Sequence, residues 1–382
     1  MSTISNETNS KKKLSERERQ MQQEVLKRFR SKVSPSLGKL VKESDAVAKQ
    51  FIPSPYEALE FGTEKPFEEG KNNHGIYGLE RIYEDRAVLT PYFECSAYCR
   101  YCFKKTRTLG GEAKRMTDEN IDAAIAYIGS DARIKTVLIT GGDPFIDAEL
   151  LEQVLVKVAE IPHVRNIRVG TRNILFQPEA ITDELAEMIA RFNHIDYENP
   201  KNSRNISVGL SINHPDELTP DVIRAAQRFI SRGIIIRGQT VLMKGINDNP
   251  ETILELISMF LAVGIVPYYL FHCMPVVGAK HFRTSVQKGI DILNAISRFS
   301  GSTAPHYVYV TPIGKHRVGP GHQLEYVEID GLTYIKATTP YKATDFLEFS
   351  DNENLPPLHE INEEGYVVSY YLDGDDNELE VL

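Results

Sequence analysis

The chain has only four cysteines in 382 residues, and three of them crowd into one short segment. That usage does not make a secreted disulfide framework. No stretch reaches the about 18 uninterrupted apolar residues that a membrane span needs. Residues 1–10 lack the apolar core of a secretory signal. A reducing cytoplasm is therefore the expected location, with no membrane partner. Positive charge is not in excess either: 44 Lys and Arg stand against 53 Asp and Glu, a net charge of −9, which argues against a nucleic-acid surface. What remains is a globular composition, 41% hydrophobic and 25% charged. The length suits either one α/β barrel with appendages or two domains.

The three clustered cysteines read Cys95-x-x-x-Cys99-x-x-Cys102 and directly follow a strand-like apolar run, 87–92. Three thiolates on one short loop can bind three irons of a [4Fe–4S] cluster and leave the fourth iron open for a substrate or cofactor. This spacing resembles that of the radical S-adenosylmethionine (SAM) enzymes. The other reading is a zinc site one ligand short, although zinc sites more often use paired C-x2-C units and no second pair is present. Cys273, the fourth cysteine, is read as a small apolar residue, since a fourth thiolate would block the open iron.

Residues 1–50 are polar and basic, with Lys11-Lys12-Lys13, and the spacing of Met21, Val25, Leu26 and Phe29 predicts a solvated amphipathic helix. From about residue 85, strand patterns (87–92, 136–140, 166–171, 206–213, 234–243, 266–272) alternate with helix patterns. The helices are expected near 117–129, 147–160, 182–193, 219–232, 249–263 and 286–299. Such alternation predicts an α/β fold, a partial (β/α)6 barrel with its chemistry at the C-terminal strand ends. An N-terminal helical extension (1–80) precedes the barrel (81–312), and a C-terminal α+β segment (313–382) follows it. In that last segment 326–335 reads as a hairpin around Asp330-Gly331, and the acidic stretch from Asp351 as a solvated tail or a small sheet.

Gly141-Gly142-Asp143 closes the second strand. Glycines admit close backbone approach, here to the amino and carboxylate groups of SAM. With this turn the chain resembles the lysine 2,3-aminomutase family of radical SAM enzymes from about Gly78 to Lys315. The landmarks include Tyr83-Glu-Asp-Arg86, the cysteine loop, Arg168-Val-Gly-Thr-Arg172, Asn213-His-Pro-Asp-Glu217 and Pro267-Tyr-Tyr-Leu270. Cys102-Phe-Lys-Lys is also similar to the branch that modifies a lysine on elongation factor P.

The resemblance implies an isomerase that shifts an amino group between Cα and Cβ of an amino acid. It implies pyridoxal phosphate (PLP) as second cofactor, held by Lys315, with Arg86 near its phosphate. It further implies Asn213, His214 and Gln239 lining SAM, a flavodoxin- or ferredoxin-type electron donor, and a homo-oligomer. Family substrate positions fall on Lys104, Met274 and Val310. Neither Met274 nor Val310 can pair with an ammonium, so free lysine is not the expected substrate. The segment before Lys315 is two residues shorter than in the lysine enzyme. That leaves open a protein-lysine modifier or an enzyme that has dropped PLP.

Overall fold

In the computed structural model the described residues are 15–64, 66–67, 74–108, 115–300 and 304–377, so the run Lys11–Lys13 lies outside them. Three short helices come first: α1 (Glu16–Arg28), α2 (Pro35–Glu43) and α3 (Asp45–Phe51). Each begins at a serine, Ser15, Ser34 or Ser44, whose hydroxyl accepts a backbone N–H of the first turn. The first helix is not simply solvated. Val25 and Phe29 are buried against Tyr98 of the cysteine loop, while Leu26 stays exposed.

A nine-stranded sheet follows, its strands hydrogen-bonded in chain order. β1 (Leu79–Tyr83) and β2 (Arg86–Tyr92) form an antiparallel ribbon. After the short α4 (Lys105–Thr108) come α5 (Asp118–Ser130), β3 (Thr136–Gly141), α6 (Ala148–Ala159) and β4 (Asn166–Thr171). Next are α7 (Asn173–Phe176), α8 (Asp183–Ala190), β5 (Asn205–Ser211), α9 (Pro220–Ile230) and β6 (Ile235–Leu242). The repeats end with α10 (Pro250–Ala262), β7 (Val266–His272) and α11 (Val286–Ser300). β8 (His306–Thr311) extends the parallel run from β2 to β8, and β9 (Gly314–Val318) turns back antiparallel to it. The expected partial (β/α)6 barrel is what the chain forms. The strands β1, β8 and β9 are additions to the expected set.

The two faces of the sheet differ sharply. On β6, Ile236, Gly238, Thr240 and Leu242 are buried, while the alternate residues are less so. A Cβ on Gly238 would lie 2.5 Å from Phe260 of α10, so that face meets the helices. Ile167, Val169, Ile206 and Val208 share it and join the helices in the main core; each such buried side chain contributes about 1.5–3 kcal/mol. A Cβ on Gly209 of β5 would instead meet the amide of Gln239 at 2.4 Å and Arg168 at 3.6 Å. The inner face is therefore polar, and it carries the site.

A second sheet packs against β8 and β9. It is ordered β10 (Glu325–Ile329), β11 (Leu332–Lys342), β13 (Tyr366–Leu372), β12 (His359–Ile361), with α12 (Ala343–Ser350) between β11 and β12 in the chain. Ile335 and Tyr371 pack with Tyr307 and Tyr309. The β10–β11 hairpin turns at Asp330 and Gly331, both with positive φ (51° and 73°), as a two-residue hairpin requires. The acidic stretch supplies β12 and β13. Among the described residues no helix is long and apolar enough to cross a membrane.

Candidate functional site

The cysteine loop leaves the C-terminal end of β2 and is fastened from behind. Arg100 and Glu57 are fully buried and joined by two charge-assisted bonds, Nε to Oε1 at 2.9 Å and Nη2 to Oε2 at 2.7 Å. Lys105 Nζ donates to the same carboxylate and, at 2.8 Å, to the carbonyl of Arg100. Lys32 donates to the carbonyl of Cys95 at 2.9 Å. Burial pushes the Cys95 thiol up, and the neighbouring charges of Asp143, Cys102 and Cys99 push it further. Burial and Cys99 raise Cys102 to about 11. The three sulfurs thus lie within one another's field. Cations stand ready to offset thiolates: Arg172 Nη1 donates to Cys99 Sγ at 2.9 Å, and Lys104 favours ionised Cys102. Among the described residues no three His, Cys, Asp or Glu side chains gather where one ion could sit. A cubane does not demand that, because each thiolate binds a different iron. Cys273 is buried in an apolar cluster with Met243, Ile246 and Val276, against which Cys99, Tyr101 and Phe103 of the loop also pack.

The glycine turn meets the chain's own backbone before any ligand. Gly142 N–H donates to Tyr92 O and Asp143 N–H to Glu94 O, both at 2.8 Å. A Cβ on Gly142 would sit 2.1 Å from Glu94 O, and one on Gly141 (φ +135°) 2.3 Å from Thr90 Cγ2. The turn therefore clamps the root of the cysteine loop. Gly142→Ala is expected to displace that root, cost about 1–3 kcal/mol and lower the iron retained per chain. Wild-type melting temperature and iron content in this variant would refute the clamp.

Asp143 faces inward. It accepts Thr171 Oγ1–H at 2.7 Å, Arg172 N–H at 2.6 Å and Phe145 N–H at 3.1 Å. Burial raises its pKa to about 6, against the lowering effect of those bonds. Asn213 is likewise engaged: its amide donates to Tyr101 Oη at 2.6 Å and Gln50 Oε1 at 2.9 Å, and accepts Val241 N–H at 2.8 Å. His214 accepts Asp216 N–H at 3.3 Å. Of these polar residues, Gln239 lies on the inner face over Gly209.

A separate constellation surrounds Lys315 on β9. Its Nζ donates to Tyr83 Oη at 3.1 Å and lies 5.1, 5.5 and 5.9 Å from the ring centres of Tyr83, Tyr269 and Phe271. Burial, and then the positive charges of Arg86 and Arg168, lower its pKa from 10.5 to about 7. Arg86 stacks over Tyr83 at 4.7 Å. Arg168 and Arg237 both lie over Tyr268, at 4.8 and 4.9 Å. Tyr268 is the extra residue of a β-bulge, since Gly238 pairs with Pro267 and Gln239 with Tyr269. The bulge brings two successive tyrosines together, with ring centres 4.2 Å apart. The Nε atoms of Arg86, Arg168 and Arg237 are buried without partners. None of these four cations has a carboxylate partner among the described residues.

Lys104 is buried and lies 3.4 Å from both Glu80 Oε1 and Thr90 Oγ1. Met274 and Val310 share an apolar cluster with Phe67, Ile82, Phe103 and Phe271, whose members Tyr83 and Phe271 also border Lys315. Arg168, Arg172 and Tyr268 stand in the family landmarks without an expected role, and Arg237 is not among the sequence candidates. An arginine between two core residues, as in Ile167-Arg168-Val169, is the signal that marks an inward cation.

Comparison with known proteins adds a family. A model of the Radical SAM superfamily matches residues 89–257. L-lysine 2,3-aminomutase of Clostridium subterminale is 34% identical over 275 residues, 71% of this chain and 63% of that protein. L-lysine 2,3-aminomutase of Fusobacterium nucleatum is 32% identical over 308 residues, 79% of this chain and 69% of that protein. Glutamate 2,3-aminomutase of Clostridioides difficile is 30% identical over 312 residues, covering 79% and 70%. The chain thus spans a little under two-thirds of the first of these relatives.

Proposed function

The chain belongs to the lysine 2,3-aminomutase family of radical SAM enzymes, and from that premise we propose that it is a PLP-dependent aminomutase acting on an amino acid other than free lysine. The family implies a [4Fe–4S] cluster and SAM. The observation that carries PLP is the basin of unpaired cations around Lys315. Buried cations without counter-charges are costly, and a phosphate dianion would supply the missing charge. Three partnerless guanidinium Nε atoms beside a lysine amine fit that cofactor well. When bound, the cluster with SAM would supply a 5′-deoxyadenosyl radical, and PLP would carry the migrating nitrogen.

In this reading Cys95, Cys99 and Cys102 hold three irons. Gly141 and Gly142 hold the loop and offer their backbone to SAM, which Asn213, His214 and Gln239 border. Asp143 acts by fixing the strand ends rather than by touching SAM. Lys315 Nζ, deprotonated in about half the molecules near neutral pH, is the nucleophile for PLP. Arg86, Arg168 and Arg237 receive its phosphate. Lys104 faces the substrate carboxylate with a charge already shared with Glu80. Met274 and Val310 present an apolar wall to the side chain, which supports a neutral or apolar substrate. The electron comes from a low-potential donor of the flavodoxin or ferredoxin type.

The test is anaerobic reconstitution with iron, sulfide, SAM, PLP and dithionite, followed by a pool of amino acids. A new β-amino acid with a neutral side chain is expected, with lysine left unchanged. Purified protein holding zinc without iron or sulfide, or β-lysine as the sole product, would refute the reading.

A further inference from the structure

Arg172 ties the end of β4 to helix α3 and touches one of the three clustered cysteines directly. Its Nη1 donates to Cys99 Sγ at 2.9 Å and also to Tyr101 Oη. Its Nη2 bonds both oxygens of Glu217 at 3.0 Å and Gln50 Oε1 at 2.8 Å. The rings of Phe51, Phe176 and Tyr101 close around the guanidinium at 4.9, 5.6 and 5.6 Å. Glu217 is fully buried and itself fixed, accepting Gln50 Nε2–H at 2.6 Å and Asn213 N–H at 2.9 Å. The backbone N–H of Arg172 is held by Asp143 at 2.6 Å. Helix α3, through Gln50 and Phe51, is thus part of the same unit.

We propose that Arg172 is a positioning residue that sets the reduction potential of the iron–sulfur cluster through its bond to Cys99, and that Glu217 moderates it. The inference rests on the three cysteines holding a cluster. A donor and a positive charge at a ligating sulfur stabilise the more negative, reduced form and raise the potential. Glu217, bonded to the same guanidinium, offsets part of that charge. The two residues therefore act with opposite sign, which a merely structural pair would not do.

The full chain, reconstituted anaerobically with iron and sulfide, is titrated with dithionite while the reduced-cluster EPR signal is followed. Iron and sulfide per chain are measured alongside. Arg172→Gln is expected to move the midpoint to a more negative value. Arg172→Lys, which keeps a charge and a donor, falls between it and wild type, and Glu217→Gln moves to a more positive value. Should Arg172→Gln fail to load, Arg172→Lys and Glu217→Gln still must lie on opposite sides of wild type. Midpoints that coincide with wild type, or that all move the same way, overturn the proposal while leaving the cluster intact. A chain that takes up no iron and sulfide defeats the cluster assignment instead.

Discussion

Lys315→Ala is expected to abolish the absorbance of lysine-bound PLP altogether, and the wild-type protein to take up PLP with an unusual pH profile. An ordinary lysine, with a pKa near 10.5, gains reactive amine about tenfold per pH unit throughout the neutral range. Lys315, lowered to about 7 by burial and by Arg86 and Arg168, behaves differently. Its neutral fraction rises about fivefold from pH 6 to 7 and less than twofold from 7 to 8, so the rate of uptake levels off near pH 8. The sign follows from the neighbours: cations disfavour a third positive charge, and removing one restores it. Arg86→Gln therefore moves the plateau to higher pH. Pyridoxal, which lacks the phosphate, should attach far more weakly than PLP to wild type, and the gap should narrow in Arg168→Gln and Arg237→Gln. Uptake rising tenfold per unit through pH 8, or retained in Lys315→Ala, would remove Lys315 from the role.

Glu57→Gln is expected to be the most destabilising exchange that leaves the barrel interior untouched. Glu57 has no exposed side-chain surface and is the shared counter-ion of Arg100 and Lys105. Without it two buried cations lose their partner beneath the cysteine loop, at a cost of about 3–5 kcal/mol. A falling melting temperature and a lower iron content should appear together, because the same carboxylate fastens the loop. Burial favours the neutral Glu57 carboxyl, but Lys105 and Arg100 outweigh it and hold the pKa below 4.5. Its contribution is therefore complete above about pH 4.3, the unfolded value, and is lost as the pH falls through the lower folded value. A variant that melts like wild type at pH 7 would contradict this.

The alternation of apolar strands and capped helices made β2 through β7 legible, because each unit returns to the same layer and repeats the same pattern. It did not reveal β8 and β9. No helix follows β8; Pro312 and Ile313 turn the chain straight back, with Thr311 paired to Gly314. That hairpin is the segment directly before Lys315. The cysteines were legible because cysteine is rare here and their spacing is local. Glu57 and Lys105 are 48 residues apart and Arg172 and Cys99 are 73 apart, so their partnership exists only once the strands are in register. That the carboxylate of Asp143 accepts from Thr171 and Arg172 is not legible in the glycine turn, because these partners lie on the next strand end. Arg168 and Arg237 became visible as a pair only through the bulge that inserts Tyr268 between them.

The nine strands end at β1 on one side and β9 on the other, and among the described residues these two edges share no ladder. Side chains span the seam: Lys315 bonds Tyr83, Gly314 lies against the Tyr83 ring, where an added Cβ would be 3.0 Å away, and Ile82 of β1 packs with Val310 of β8. The two edges are thus joined there by contacts of individual residues rather than by a strand ladder. Engaging the amine of Lys315 elsewhere would release one of these contacts without breaking one rung of the sheet.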